Sequence, residues 1–259
     1  MREKTVGFVG GGRVARIILG GLKKAGRMPA QIVASDNSPE VLKRLRSGFP
    51  DVQIALNNNR DAAAQDLVFL GLHPPALAGS LADIKGCLKQ DAILISLAPK
   101  LSIANLREGL GGFNRIVRLI PNAASIIGEG YNPAVFSETL NRQEKEELQV
   151  LLKALGQCPE VEEGKLEAYA IVTAMGPTYL WFQWQELRNL AESFGMTSTE
   201  AETGVAEMIA GAAKTLFGSG FSADEVMDLI PVKPLGEEEK IIKAMYKSKL
   251  TPLYEKLKS

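Results

Sequence analysis

Three consecutive glycines, Gly10, Gly11 and Gly12, stand where a short apolar run gives way to a helical pattern, and this junction limits what the chain can fold into. Val6, Phe8 and Val9 suit a buried parallel strand, while Val14, Ile17, Ile18, Leu22 and Ala25 recur at helical spacing behind the turn. The spacing Gly10-x-Gly12-x-x-Ala15 gives each small residue a physical task. Gly10 allows a tight turn, Gly12 lets a pyrophosphate approach the backbone, and Ala15 lets the helix lie close on the strand. The phosphates would rest on the N–H groups at the positive end of the helix, beside Arg13 and Val14. A strand before, a helix after and a second strand beyond make this a dinucleotide site in expectation, since a Gly-rich turn alone would be weak.

The second strand, Gln31 to Ala34, ends in Ser35-Asp36-Asn37-Ser38-Pro39, where the adenosine ribose would lie. An acid about 20 positions past the glycines accepts from ribose hydroxyls and favours NAD, which makes Asp36 the candidate. Asp36 could instead cap the helix that begins near Pro39, and Ser35, Asn37 and Ser38 offer donors to a phosphate.

Further strands are expected at Val52 to Ala55, Asp66 to Leu72, Ala92 to Leu97 and Arg115 to Ile120, with a last short one at Pro159 to Glu162. Their alternation with helices predicts an α/β fold, a Rossmann-like doubly wound parallel sheet. Ligands of such sheets bind outside the carboxyl ends of the strands. Leu72, His73 and Pro74, then Ala98, then Asn122 therefore face one crevice and are candidate cofactor contacts. His73 is the sole histidine, and Lys100 is a second cation near the same edge.

After Gly164 the strand signals stop and every pattern is helical, so two domains are expected, residues 1–163 binding the dinucleotide and residues 164–259 helical. Ala206, Ile209, Ala210, Ala213 and Leu216 form one face of a small-sided helix, which together with the size of this part predicts subunit contact, a homodimer. Lys plus Arg equals Asp plus Glu at 30 each, so nothing in the balance points to nucleic acid or an anionic membrane, and a small-molecule partner fits better. The two cysteines, Cys87 and Cys158, have neither metal-ligand spacing nor the density of a disulfide scaffold, and no metal is expected. No leader pattern and no uncharged run long enough for a bilayer are seen, and a cytoplasmic protein is the expectation.

With these pieces in place the chain resembles the pyrroline-5-carboxylate reductases, which reduce a cyclic imine to proline with a nicotinamide cofactor. Where that family reads approximately GFIGAGNMA, this chain has Gly7 to Ala15; for LAVKPQ it has Leu70 to Pro75, and for VRVMPN it has Val117 to Asn122. The family's SGSGPAY is matched by Thr173 to Tyr179, and its GAA helix by Gly211-Ala212-Ala213. The resemblance implies an NAD(P)H-dependent oxidoreductase that delivers hydride to a C=N bond, with Ser35 and Asn58 near the adenosine and its 2′-phosphate. NADP and NAD both stay open. Alternatives are a carbonyl or F420-linked reductase, or a non-catalytic dinucleotide-binding protein.

One departure stands out. The family's SPGGTT, which helps bind the substrate carboxylate, is here Ile230-Pro231-Val232-Lys233-Pro234-Leu235. Lys233 would replace lost donors with a cation, which implies an anionic substrate. A protonated imine needs position and a dry pocket more than a strong acid. Thr178 and Tyr179, beside the break at Gly176-Pro177, are with Lys233 the candidate catalytic residues.

Overall fold

The computed structural model describes residues 4–72 and 74–258. The chain alternates strand and helix in its first half: β1 (Val6–Val9), α1 (Arg13–Lys24), β2 (Ile32–Asp36), α2 (Pro39–Gly48), β3 (Gln53–Leu56), α3 (Asn59–Ala63), β4 (Leu67–Leu70), α4 (Pro74–Ile84), β5 (Ile93–Ser96), α5 (Ile103–Gly109) and β6 (Ile116–Leu119). Then come β7 (Gly130–Tyr131), β8 (Ala134–Phe136), α6 (Arg142–Leu152), β9 (Gly156–Gln157) and α7 (Leu166–Tyr169). A seven-stranded sheet runs β3-β2-β1-β4-β5-β6-β8, parallel throughout except for the antiparallel β6–β8 pair. β7 and β9 make a separate two-stranded parallel pair. The doubly wound expectation therefore holds, with one antiparallel edge added.

β1, β4, β5 and β6 are buried along their length because both faces of the sheet are covered, and apart from Gly7, Ser96 and Arg118 their residues are apolar. The alternation divides each strand between two cores. Phe8, Phe69, Ile95 and Val117 face α1 and α6, with Ile18, Leu19 and Leu148 packed among them. Val9, Val68, Leu70 and Leu94 join Ala62, Leu81 and Leu106 in the other. Phe8 and Phe69, partners in register, stack with centroids 4.9 Å apart.

The expected strand over Pro159 to Glu162 does not form. Its backbone contributes a single bridge, Ala134 to Glu160, and the pairing falls earlier, at β9. Helix α4 opens directly on Pro74, whose missing N–H costs nothing in a first turn, so the prolines that stop β4 also start a helix.

Two compact units divide the chain: the first runs to Ala174 and takes in the C-terminal residues from Tyr254, and the second is Met175–Leu253. The boundary expected at 163/164 lies within the first unit. The reason is a buried charge on β6. Arg118, only 2% exposed, donates to Glu163 Oε1 at 3.0 Å and to Glu167 Oε1 at 2.5 Å, tying the start of α7 to the sheet. A π-helical turn, Ala170–Ala174, closes this unit. The second unit holds α8 (Gly176–Ser193), α9 (Ser198–Gly218), α10 (Ala223–Asp228) and the start of α11 (Glu239–Lys258).

Candidate functional site

The glycine turn is built from the sheet outward. Gly10 leaves β1 at φ +103°, where a side chain is strained, and a Cβ there would lie 2.7 Å from the Gly71 carbonyl oxygen. Its N–H donates to the Ser35 carbonyl, and the Gly71 N–H donates to Val9, each at 2.9 Å. Gly12 differs. Its φ is an ordinary −74°, and a Cβ there would meet nothing within 4 Å. No packing within the protein requires glycine at 12, so the open space beside its backbone is a cradle that a side chain would fill and a phosphate can use.

Helix α1 begins at Arg13 without a side-chain cap and without an acid in its first turn. By contrast Ser38, Ser102, Asn141, Thr197 and Ser222 cap α2, α5, α6, α9 and α10. An uncapped N-terminus directs N–H groups and the positive end of the helix dipole at whatever lies before it. Arg13 is exposed beside this end, and Val14 is half-buried against the core. The residues present fit a dinucleotide pyrophosphate.

On the adenosine side the structure sorts the candidates. The Asp36 carboxylate accepts from the Gly11 N–H and the Ser38 N–H, each at 3.0 Å. Ser35 is buried, and its hydroxyl donates to Asn59 Oδ1 at 2.8 Å, so in this structure its proton is engaged within the protein. Asn58 is half-buried, stands before α3 and makes no capping bond with its side chain. Asn59, which the sequence reading passed over, holds Ser35 and reaches Ser80 at 3.4 Å. The run Asn57-Asn58-Asn59 was the available signal.

At the other strand ends, the register Leu70–Ser96–Arg118 lines up β4, β5 and β6 so that their carboxyl ends share one edge. Leu72 is half-buried and Ala98 buried at that edge. His73 lies outside the described residues, and of Pro74 only its place at the start of α4 is described. Lys100 adopts φ +80°, a left-handed conformation that is costly for a lysine. Asn122 is held by two bonds, its N–H donating to Asn132 Oδ1 at 3.2 Å and its Nδ2 to the Thr173 carbonyl at 3.5 Å. Its Oδ1 is buried without a hydrogen-bond partner, as is Ser96 Oγ. Neither was foreseen as an unpaired acceptor.

The candidate catalytic residues all belong to the second unit. Thr178 donates its hydroxyl to the Met175 carbonyl at 2.6 Å, leaving the oxygen as an acceptor. Tyr179 meets Tyr246 edge-on at 6.0 Å, and burial followed by the neighbouring Tyr246 raises its pKa above the ordinary 10.0. Lys233 is exposed at the start of the turn before α11, its carbonyl accepting from the Gly236 N–H at 3.0 Å. Among the described residues no group of three or more His, Cys, Asp or Glu could hold a metal ion, and no helix is long and apolar enough to cross a membrane.

A doubly wound sheet with an open glycine turn and an uncapped first helix is the frame of an NAD(P)-dependent oxidoreductase. Residues 5–100 match the family model described as NADP oxidoreductase, coenzyme F420-dependent. Pyrroline-5-carboxylate reductase 3 of Bos taurus is 30% identical over 218 residues, 84% of this chain and 70% of that protein. The pyrroline-5-carboxylate reductase of Escherichia coli is 24% identical over 229 residues, 88% of this chain and 85% of its own. The chain belongs to the pyrroline-5-carboxylate reductase family. In structure it is similar to the Coxiella burnetii enzyme of that name (TM-score 0.70, 26% identity, covering 100% of this chain and 95% of the other). The Plasmodium falciparum pyrroline carboxylate reductase with NADP bound has the same fold (TM-score 0.76, 20% identity, covering 100% and 95%).

Proposed function

We propose that the protein reduces the C=N bond of a small anionic cyclic imine, pyrroline-5-carboxylate or a close relative, and so acts in proline synthesis or a reaction like it. The observation that carries the cofactor half is the open space at Gly12 before an uncapped α1. The turn and the start of α1 would hold a reduced nicotinamide dinucleotide, which would supply hydride to the imine carbon. The N–H groups near Arg13 and Val14 hold the pyrophosphate, Asn58 stands at the adenosine end, and Leu72, Ala98 and Asn122 line the nicotinamide end. The unpartnered Asn122 Oδ1 accepts from a donor on the ligand. A protonated imine nitrogen takes the electron pair of the former double bond, so no side chain must deliver a proton in the same step. Thr178, Tyr179 and Lys233 are the proposed substrate contacts, with Lys233 supplying the charge that meets the carboxylate.

The second unit supports a homodimer. Helix α8 has no buried residue and α9 has only Ala201, while Phe182, Phe194 and Phe217 are 68%, 79% and 85% exposed. An apolar surface of this kind asks for cover, and a second copy of the same helices supplies it. We place the protein in the cytoplasm, in keeping with its two free thiols.

A second reading rests on one observation: the segment 230–235 has no hydroxyl and no glycine, so the scaffold binds the dinucleotide without turning over a family substrate. Calorimetric titration with NADPH and NADH, followed by cofactor oxidation with cyclic imines and keto acids, separates the two. Imine-dependent oxidation supports the reductase. Tight cofactor binding with no oxidation supports the second reading, and no heat with either cofactor in folded protein removes both.

A further inference from the structure

An acid at the end of the second strand ordinarily meets the ribose hydroxyls. Asp36 has other obligations in this chain. Its Oδ2 accepts from the Gly11 N–H, 25 positions earlier, and its Oδ1 accepts from the Ser38 N–H. Its own carbonyl accepts from the Asn57 N–H at 3.0 Å. One residue thus ties together the turns after β1, β2 and β3. Gly11 is the middle of a run of three glycines, the most freely moving backbone a chain can have, and ordering such a run costs more entropy than ordering other residues. The bond from Gly11 to the carboxylate is charge-assisted, which makes it strong enough to hold that turn in place.

We propose that Asp36 is a positioning residue that sets the glycine turn for the pyrophosphate and does not select between NADH and NADPH. This rests on the dinucleotide reading above. With one N–H dipole on each oxygen, the carboxylate charge is partly balanced by backbone, which weakens its repulsion of a 2′-phosphate. The neighbouring side chains Asn37 and Asn58 are polar and carry no negative charge.

Two measurements test this. In the first, NADH and NADPH affinities are measured by calorimetry for the unsubstituted protein and for Asp36→Asn, which keeps one acceptor oxygen and loses the other. Both dissociation constants should rise by about tenfold, the effect of losing one charge-assisted bond, with their ratio unchanged within about twofold. A ratio is insensitive to the fraction of protein that is folded. NADPH affinity that holds or rises while NADH affinity falls would make Asp36 a ribose selector and overturn the proposal, and so would two unchanged affinities. The second measurement needs no variant and no cofactor. Amide hydrogen exchange of the unsubstituted protein should show Gly11 strongly protected, although it lies in a turn. Gly11 exchanging at the rate of an unbonded amide overturns the brace even where the cofactor reading fails on its own terms.

Discussion

Gly10 and Gly71 pass so closely that a Cβ on the first would sit 2.7 Å from the carbonyl oxygen of the second. Two residues on, the same turn at Gly12 opens onto empty space. Identical residue types in one motif therefore have different surroundings: the fold requires glycine at the first position and leaves the second free.

Substituting the two glycines separates these demands. Gly10→Ala meets both the Gly71 backbone and a left-handed φ, and should destabilise the fold by roughly 2 kcal/mol or more. Gly12→Val should change unfolding free energy by about 1 kcal/mol or less. Its cofactor affinity should fall roughly a hundredfold because the side chain takes the phosphate's place. Urea unfolding and calorimetry on both variants check the pair, and equal effects on stability would contradict the distinction.

The Arg118 clamp gives a second contrast. Glu167, buried beside the guanidinium, should cost roughly 2–3 kcal/mol when changed to Gln, since its loss leaves a buried charge short of one partner. Glu163, the more exposed partner, should cost less when changed in the same way. Chemical denaturation of Glu163→Gln and Glu167→Gln measures the order.

A hydrogen bond from Arg115 holds the pKa of Glu144 below its ordinary 4.5, helped by the Asn141 backbone and Arg115's charge and opposed by burial. A carboxylate depressed in the folded state lends stability above its unfolded pKa. That contribution begins to fade as the pH falls past 4.5 and is lost through the lower folded value. Glu144→Gln should therefore flatten the acid side of a stability profile, leaving other slopes in place. An unchanged slope below pH 4.5 would count against the pairing.

Cys158 and Cys87 should differ in reactivity. Burial pushes the Cys158 thiol up to about 12, so almost no thiolate exists near neutrality. Iodoacetamide followed by mass spectrometry should label Cys87 well before Cys158, and the reverse order would contradict the packing.

Much of this molecule was legible beforehand because the signals were local. β1, β4, β5 and β6 announce themselves as short apolar runs, and the glycine spacing names its own turn. The antiparallel β8 was not legible, since Asn132 and Pro133 interrupt the stretch that holds it and only register with β6 makes it a strand. The same limit applies to the site. Whether Ser35 faces the ligand or the interior depends on its pairing with Val9, and its bond to Asn59 spans 24 positions. The tie from Arg118 to Glu167 spans 49, which no periodicity reveals.

For the substrate side, Thr178→Val and Tyr179→Phe should lower turnover severalfold and leave cofactor affinity alone. Lys233→Met should raise KM for an anionic imine about tenfold, the loss of one charge-assisted contact. Steady-state kinetics beside cofactor titration tests all three, and unaltered constants in every variant would place the substrate elsewhere.

In the proposed reaction, hydride passes from a dinucleotide on the glycine turn to the carbon of an imine. Reduction of pyrroline-5-carboxylate with NADPH and NADH deuterated at the transferring position, read by mass spectrometry and NMR of the product, follows that atom directly. One deuterium should appear at the former imine carbon, and it should be lost together with turnover in Gly12→Val. Folded protein that binds the labelled cofactor yet returns unreduced and unlabelled imine would contradict it.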